Sequence, residues 1–397
     1  MLQRNPWLLP DGFEEILPDD ARRLEQLRSK LLKVFASWGY ELVIPPIIDY
    51  LPTLLTGSGH DLDLQTFKLT DQLNGEMLGI RADMTPQIAR IDSHHLKNDQ
   101  PNRLSYIGTV LRTIGDLLEK TRSPMQIGAE LYGHEGIESD IEIIHLMLEM
   151  LAIAGLKYVH LDLGHVSIFR ELAKIAELSE HQEAVLFDVL QRKARPELIQ
   201  IVDSYISNQE VKELFLKLPE LNGDGSILSK AKECFAVAGD AVQDSLTDLQ
   251  QIADKLAINY PLLTVSFDLA ELRGYHYHTG VVFSAFIPTL GKEVARGGRY
   301  DNIGAVFGRA RAATGFSSDL KLLNSLTRNS VQPQIQEKIF APAVVDQDLV
   351  ELIRDLRADG NIVIQQLLGQ TGNAQELGCD KILEKNGQNW VVTSLTK

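Results

Sequence analysis

Cysteine is nearly absent from this chain. Its two cysteines, Cys234 and Cys379, lie far apart and form no CxxC spacing, so neither a zinc site nor a disulfide framework is expected and both read as reduced structural thiols. No apolar run approaches the ~20 residues needed to cross a bilayer, and the opening MLQRNPWLLPDGFEE breaks its apolar residues with prolines and acids too early for a signal peptide. The expectation is a cytoplasmic protein with no membrane partner. Positive charge is also scarce: 39 Lys and Arg face 54 Asp and Glu, a formal net charge of −15. Without a basic stripe the chain lacks the electrostatic footprint of a nucleic-acid binder, which argues against tRNA as a partner. Internal repeats and low-complexity tracts are missing too. What remains is ordinary globular composition at a length, 397 residues, that accommodates one large domain and a small one.

The densest chemistry lies between Glu271 and Asp301, which begins ELRGYHYHTGVVF and closes ARGGRYD. It follows a β-rich run, Leu262 to Ala270. Gly274 allows close backbone approach. Tyr275, Tyr277 and Thr279 alternate with His276 and His278, so period two predicts a strand with tyrosines on one face and histidines on the other. Gly297-Gly298 predicts a turn that delivers Arg299, Tyr300 and Asp301 to one place. These residue types suit a pocket for a small polar ligand that tolerates aromatic walls; they suit equally a packed strand with tyrosine hydroxyls at the surface.

Along the chain, Asp19-Asp20 can cap a helix in which Leu24, Leu27, Leu31, Phe35 and Trp38 recur at helical spacing, ended by Gly39. The run YELVIPPIID reads as a strand whose tandem Pro45-Pro46 confine it to an edge or interface. Asn74-Gly75 joins two strand-like runs as a hairpin signal. Thr85 is placed to cap a helix with Pro86 at its first position, leaving Asp83 and Thr85 where strand passes into helix; a plain capped helix explains these residues as well. Leu104 to Arg112, a loop from Thr113 to Ser123, and Met125 to Tyr132 read as strand, loop, strand. In the second strand Gln126, Gly128 and Glu130 share one face, and a carboxylate there needs a partner, which a ligand could supply. Residues from about 165 to 260 turn helix-rich, residues 325 to 335 read as a linker, and about 60 residues of α/β tail follow, with a helix from Asp346 to Ala358.

RGYHYHTG and GGRYD resemble, in order and separation, the two histidine-specific signatures of histidyl-tRNA synthetases, RGxxYY and GGRYD. The long first helix and proline-ended strand resemble motif 1 of the class II aminoacyl-tRNA synthetases. RADMTPQIAR is similar to their RPEGT segment, and the strand-loop-strand resembles motif 2 with Arg112 at the motif arginine. The resemblance covers most of residues 1 to 325. It implies an α+β fold: a class II synthetase-like antiparallel sheet flanked by helices over residues 1–325, a helical insertion at about 165–260, and a small truncated C-terminal α/β domain over 335–397. Carried over residue by residue, it implies that Asp83, Thr85 and Gln126 receive the α-ammonium of histidine and Glu130 its imidazole. Arg112 and Arg273 would face the carboxylate, with Tyr277 and Tyr300 as walls.

The departures bear on function. Motif 2 reads RxE in the synthetases, but Ile114 stands where the acid belongs. The Glu-Arg pair that ends motif 3 is replaced after Gly315-Phe316 by Ser317-Ser318-Asp319-Leu320-Lys321, without the phosphate-gripping arginine, and fixed cations are what phosphate chemistry needs. The tail is shorter than a tRNA-reading domain. This combination is similar to the regulatory subunits of ATP phosphoribosyltransferase. That resemblance implies a non-catalytic protein with no catalytic residues, no cofactor and no metal. Its partners would be the short-form catalytic subunit, L-histidine and further copies of itself, as a dimer within a hetero-oligomer, a hetero-octamer as in similar complexes. Two alternatives stay open: a divergent histidyl-tRNA synthetase, with Arg309 and Arg311 as a substitute phosphate clamp, and a binding module that senses something else. His278, where the signature has its second tyrosine, is the departure inside the pocket.

Overall fold

The computed structural model describes residues 7–55, 60–115, 121–272, 274–275, 277–327 and 337–395. The chain divides into two compact units, Met1–Val331 and Gln332–Lys397.

The first unit is built on a nine-stranded sheet. From one edge its strands run Glu41–Leu42, Asn102–Thr109, Met125–Tyr132, Ala313–Asp319, Lys292–Arg299, Val281–Ile287, His160–His165, Thr264–Asp268 and Asn222–Gly223. The stretch from the Asn102 strand to the His160 strand is antiparallel throughout; parallel pairing appears only toward the edges, Glu41 opposite Leu104 and His160 opposite Thr264. This is the α+β class II architecture expected. Ile127, Ala129 and Leu131 point into the large core with Leu31 and Phe35 of the first helix and Ile143, Met147 and Leu151 of helix Ile137–Ile153. At period two, Gln126, Gly128 and Glu130 face the other way. Six α-helices, Val166–Ile175 through Asp240–Asn259, intervene between the His160 and Thr264 strands, and their apolar faces join the same core.

Several local expectations are corrected. Tyr40 to Asp49 is not one strand: Glu41–Leu42 joins the large sheet and Ile48–Tyr50 joins a separate three-stranded sheet. The prolines fall between them because they cannot donate to a ladder, and their carbonyls instead accept from Arg81 Nη1, 2.7 Å from Pro45 O. Helix Thr85–Arg90 has Met84 as its cap residue and no side-chain cap, so Thr85 is inside the helix; just ahead of it Asp83 Oδ1 accepts from Thr85 N at 3.0 Å. The first helix, Pro18–Ser37, begins at a proline with Leu17 as its cap residue, and Asp19 and Asp20 lie within its first turn. Asn74-Gly75 does lie in a hairpin, between Phe67–Thr70 and Met77–Ile80, with Gly75 at φ +79°.

The second unit has a four-stranded sheet in the order Ile362–Gln365, Lys338–Ala341, Lys381–Asn386, Asn389–Ser394. Helix Gln347–Ala358, capped by the Asp346 side chain, packs Leu349 and Ile353 against Ile339, Val363 and Leu383. Most of the expected 325–335 linker falls outside the described residues. Among the described residues no helix is long and apolar enough to cross a membrane.

Candidate functional site

Glu130 lies at the centre of the site. Pairing of the Asn102 and Met125 strands sets Tyr106 opposite Gly128, and with no side chain on Gly128 the Tyr106 ring folds over it, since a Cβ there would meet the Tyr106 hydroxyl. Tyr106 thereby donates to Glu130 Oε1 at 2.8 Å. Tyr300 donates to Glu130 Oε2 from the other side. The Thr85 hydroxyl lies 3.3 Å from Glu130 Oε1 and 3.1 Å from Asp83 Oδ1, bridging the two carboxylates. Glu130 is only 1% exposed, and burial pushes its carboxyl well above the usual carboxylate range, against the pull of the Tyr106 hydrogen bond. Burial and then the neighbouring Glu130 likewise raise the Tyr106 and Tyr277 phenols.

Asp83 is held by its own helix start and by Gln126, whose Nε2 donates to Asp83 Oδ1 at 2.9 Å while its Oε1 accepts from Met84 N at 2.9 Å. Both ends of the Gln126 amide are thus engaged, and it braces Asp83 from behind. Arg112 follows the Asn102 strand, with Nε 3.5 Å from Ala82 O. Tyr277 stacks on Tyr300, centroids 4.9 Å apart and planes 20° apart.

These groups line one cavity of about 400 Å³, to which Asp83, Thr85, Arg112, Glu130, Tyr277, His278 and Tyr300 contribute. Gln126 sits beside it through Asp83. Arg273 lies outside the described residues. Of the eight residues singled out from sequence, the structure therefore brings six to the cavity wall and one just behind it.

The segment around Tyr277 is not the expected strand. Gly274 adopts φ +69°, and the amides of Tyr277 and His278 close back on its carbonyl at 2.8 and 2.7 Å. The chain turns, and the tyrosines separate. Tyr275 packs on Phe169 and Phe187, 5.2 Å from each, under the Arg170 guanidinium, with its hydroxyl on Glu183; Tyr277 stacks on Tyr300, and both tyrosines line the cavity. Gly297 and Gly298 form no turn either. They sit inside the Lys292–Arg299 strand, where a Cβ on Gly297 would collide with Gly315 O and the Phe283 ring. Arg299 then points away from the cavity, donating to Asp140 Oδ2 at 2.7 Å and Ser139 Oγ at 2.8 Å. Tyr300 points in, and Asp301 accepts from Thr279 Oγ1 at 2.9 Å.

Sequence reasoning missed Tyr106; the signal was the glycine opposite it, which only register reveals. Arg309 and Arg311 are engaged elsewhere, with Asp99 at 2.5 Å and Asp92 at 3.0 Å, and neither lines the cavity. Among the described residues no cluster of side chains has the makings of a metal site. The cavity lining offers carboxylates and a hydroxyl from Asp83, Glu130 and Thr85, guanidinium groups from Arg112 and Arg296, and the Tyr277–Tyr300 stack.

Comparison with known proteins defines the class first. Residues 12–323 match the histidyl-tRNA synthetase family model. A solved histidyl-tRNA synthetase from Nostoc shares the fold, with a TM-score of 0.75 over 98% of this chain and 97% of that one, at 17% identity. A Bacillus halodurans structure described as an ATP phosphoribosyltransferase regulatory subunit/histidyl-tRNA synthetase superposes with a TM-score of 0.80 at 27% identity, covering 95% of this chain and 97% of that one. Residues 336–393 match the ATP phosphoribosyltransferase subunit HisZ C-terminal domain. Regulatory subunits of ATP phosphoribosyltransferase from Thioalkalivibrio sulfidiphilus and Methylococcus capsulatus are each 54% identical, the first over 100% of both chains, the second over 97% of this chain and 95% of its own. The chain belongs to the family of ATP phosphoribosyltransferase regulatory subunits, on a class II synthetase-like fold.

Proposed function

We propose that this chain activates a short-form ATP phosphoribosyltransferase catalytic subunit and carries its feedback inhibition by L-histidine, without catalysing a reaction itself. The observation that carries this reading is the convergence of Asp83, Thr85, Glu130, Arg112 and the Tyr277–Tyr300 stack on one cavity. A zwitterion with a basic ring needs acceptors at two ends and a cation at the third. Asp83 and Thr85, braced by Gln126, receive the α-ammonium; Glu130 takes the imidazole; Arg112 and Arg273 face the carboxylate; the stacked Tyr277 and Tyr300 form a wall of the pocket. Residues 1–325 form the synthetase-like domain that holds this site and 335–397 the C-terminal domain. The working assembly is cytoplasmic, a dimer of this chain within a hetero-octamer with the catalytic subunit, and takes no tRNA. Regulation requires that histidine bind the active and inhibited states of the complex with different affinity, since equal affinity shifts nothing.

The test is phosphoribosyl-ATP formation by the short-form catalytic subunit with and without this chain, then with added histidine. Activation, reversed by histidine, is expected. No activation, together with histidine-dependent ATP–pyrophosphate exchange by this chain alone, would support the divergent synthetase instead. The replacement of the motif 3 arginine by the Ser317–Lys321 segment and the engagement of Arg309 and Arg311 with Asp99 and Asp92 weigh against that second reading.

A further inference from the structure

His278 occupies a slot made by two glycines. A Cβ on Gly274 would meet its Cδ2, and a Cβ on Gly298 would meet its Nδ1, so the ring is held between two stretches of bare backbone. Its edge stands against the Tyr277–Tyr300 stack, 4.8 Å from the Tyr277 centroid at 76° and 6.3 Å from that of Tyr300 at 61°. Nδ1 lies 3.3 Å from Arg299 O. A carbonyl can only accept, so Nδ1 carries the proton and Nε2 keeps its lone pair. Burial lowers the ring's pKa to about 4, which leaves it neutral at physiological pH. His278 also lines the cavity with Glu130 and Tyr300, and among the described residues no hydrogen bond reaches its Nε2.

A phenol at this position could donate as well as accept; a neutral imidazole with Nδ1 committed to a carbonyl can only accept at Nε2. We infer that His278 is a specificity-determining residue of the cavity, whose Nε2 accepts a hydrogen bond from a ring N–H of the bound amino acid. This rests on the histidine reading of the site and adds to it: ligands are selected for a ring N–H donor, and an aromatic amino acid of the same shape without one is rejected. Glu130 engages the other ring nitrogen, whichever of the two carries the proton between them.

The test titrates the full-length chain by calorimetry with L-histidine and with thiazolyl-L-alanine, a histidine analogue whose ring has no N–H, for wild type, His278→Phe and His278→Gln. Removing one neutral acceptor should weaken L-histidine by about tenfold in His278→Phe and narrow the gap between the two ligands by a similar factor. His278→Gln, which keeps an acceptor oxygen, should retain the wild-type gap. A residue that merely packs would weaken both ligands alike and leave the gap unchanged. If His278→Phe does not fold, His278→Met, which also lacks a strong acceptor, takes its place with the same expectation. The inference is overturned if the acceptor-free variant binds L-histidine within twofold of wild type or keeps the wild-type gap. Wild-type chain that binds no L-histidine would instead overturn the histidine reading on which it rests.

Discussion

Glu130→Gln separates what the buried carboxylate does for the fold from what it does for the ligand. The side chain is 1% exposed and receives hydroxyls from Tyr106, Thr85 and Tyr300. Taking a carboxylate out of water costs several kcal/mol, and its raised pKa indicates that the hydroxyl donors do not fully offset that cost. Glutamine keeps the shape and removes the charge. Its amide N–H needs an acceptor, and each surrounding hydroxyl can rotate to accept. The ligand-free variant should therefore be as stable as wild type, within about 1 kcal/mol, or more stable. Histidine binding should move the other way. A hydrogen bond between a charged acceptor and the imidazole is worth about 1.5–3 kcal/mol, so affinity should fall about 10- to 150-fold. Urea melts of the free chain and calorimetric titration with L-histidine read the two quantities separately. Affinity within twofold of wild type would remove Glu130 from the ring subsite. A loss of about 3 kcal/mol of stability would make it a structural residue whose charge the fold requires.

Other variants test the frame around the site. Arg299→Met should destabilise the chain by about 3–5 kcal/mol, because Asp140 would be left as a buried carboxylate without its cation; equilibrium urea unfolding measures it, and a loss below about 1 kcal/mol would contradict the reading. Gly315→Ala should weaken histidine by at least about tenfold, since the added Cβ would overlap the Glu130 carboxylate; unchanged affinity would show that the carboxylate can shift without cost. Among the described residues the Nδ1 of buried His165 has no partner, and burial lowers its pKa to about 3. Below an unfolded-state pKa near 6.5 the unfolded chain takes up a proton at this residue that the folded chain refuses, so stability is lost as pH falls from there toward 3. The stability of wild type relative to His165→Gln should accordingly drop by about 1.4 kcal/mol per pH unit across that window; a difference independent of pH between 6 and 4 would refute it.

Much of the site was legible because it is local. The shared face of Gln126 and Glu130 follows from period two, and the handover of Asp83 and Thr85 from strand to helix follows from Pro86. Thr85 reads as the cap but falls one residue inside the helix, because Asp83 closing on the backbone amide two residues ahead competes with a threonine cap. What escaped was what distant strands decide. Gly297-Gly298 reads locally as a turn, yet those glycines sit in a strand, where Gly315 O and Phe283 press against Gly297 and Val281 O and His278 against Gly298. Tyr275 and Tyr277 alternate as strand residues should, but beyond Gly274 in the left-handed region Tyr275 packs on the helical insertion while Tyr277 stacks on Tyr300, and both line the cavity. Tyr106 became a site residue only once register set it against Gly128.

The measurement that bears most directly on the central claim is histidine inhibition of phosphoribosyl-ATP formation in two reconstituted complexes, one with wild-type chain and one with Glu130→Gln. If the cavity is the regulatory site, half-inhibition of the variant complex should require about 10- to 150-fold more histidine, matching its calorimetric loss. Identical inhibition curves alongside weakened binding to the free chain would place the regulatory histidine elsewhere in the complex.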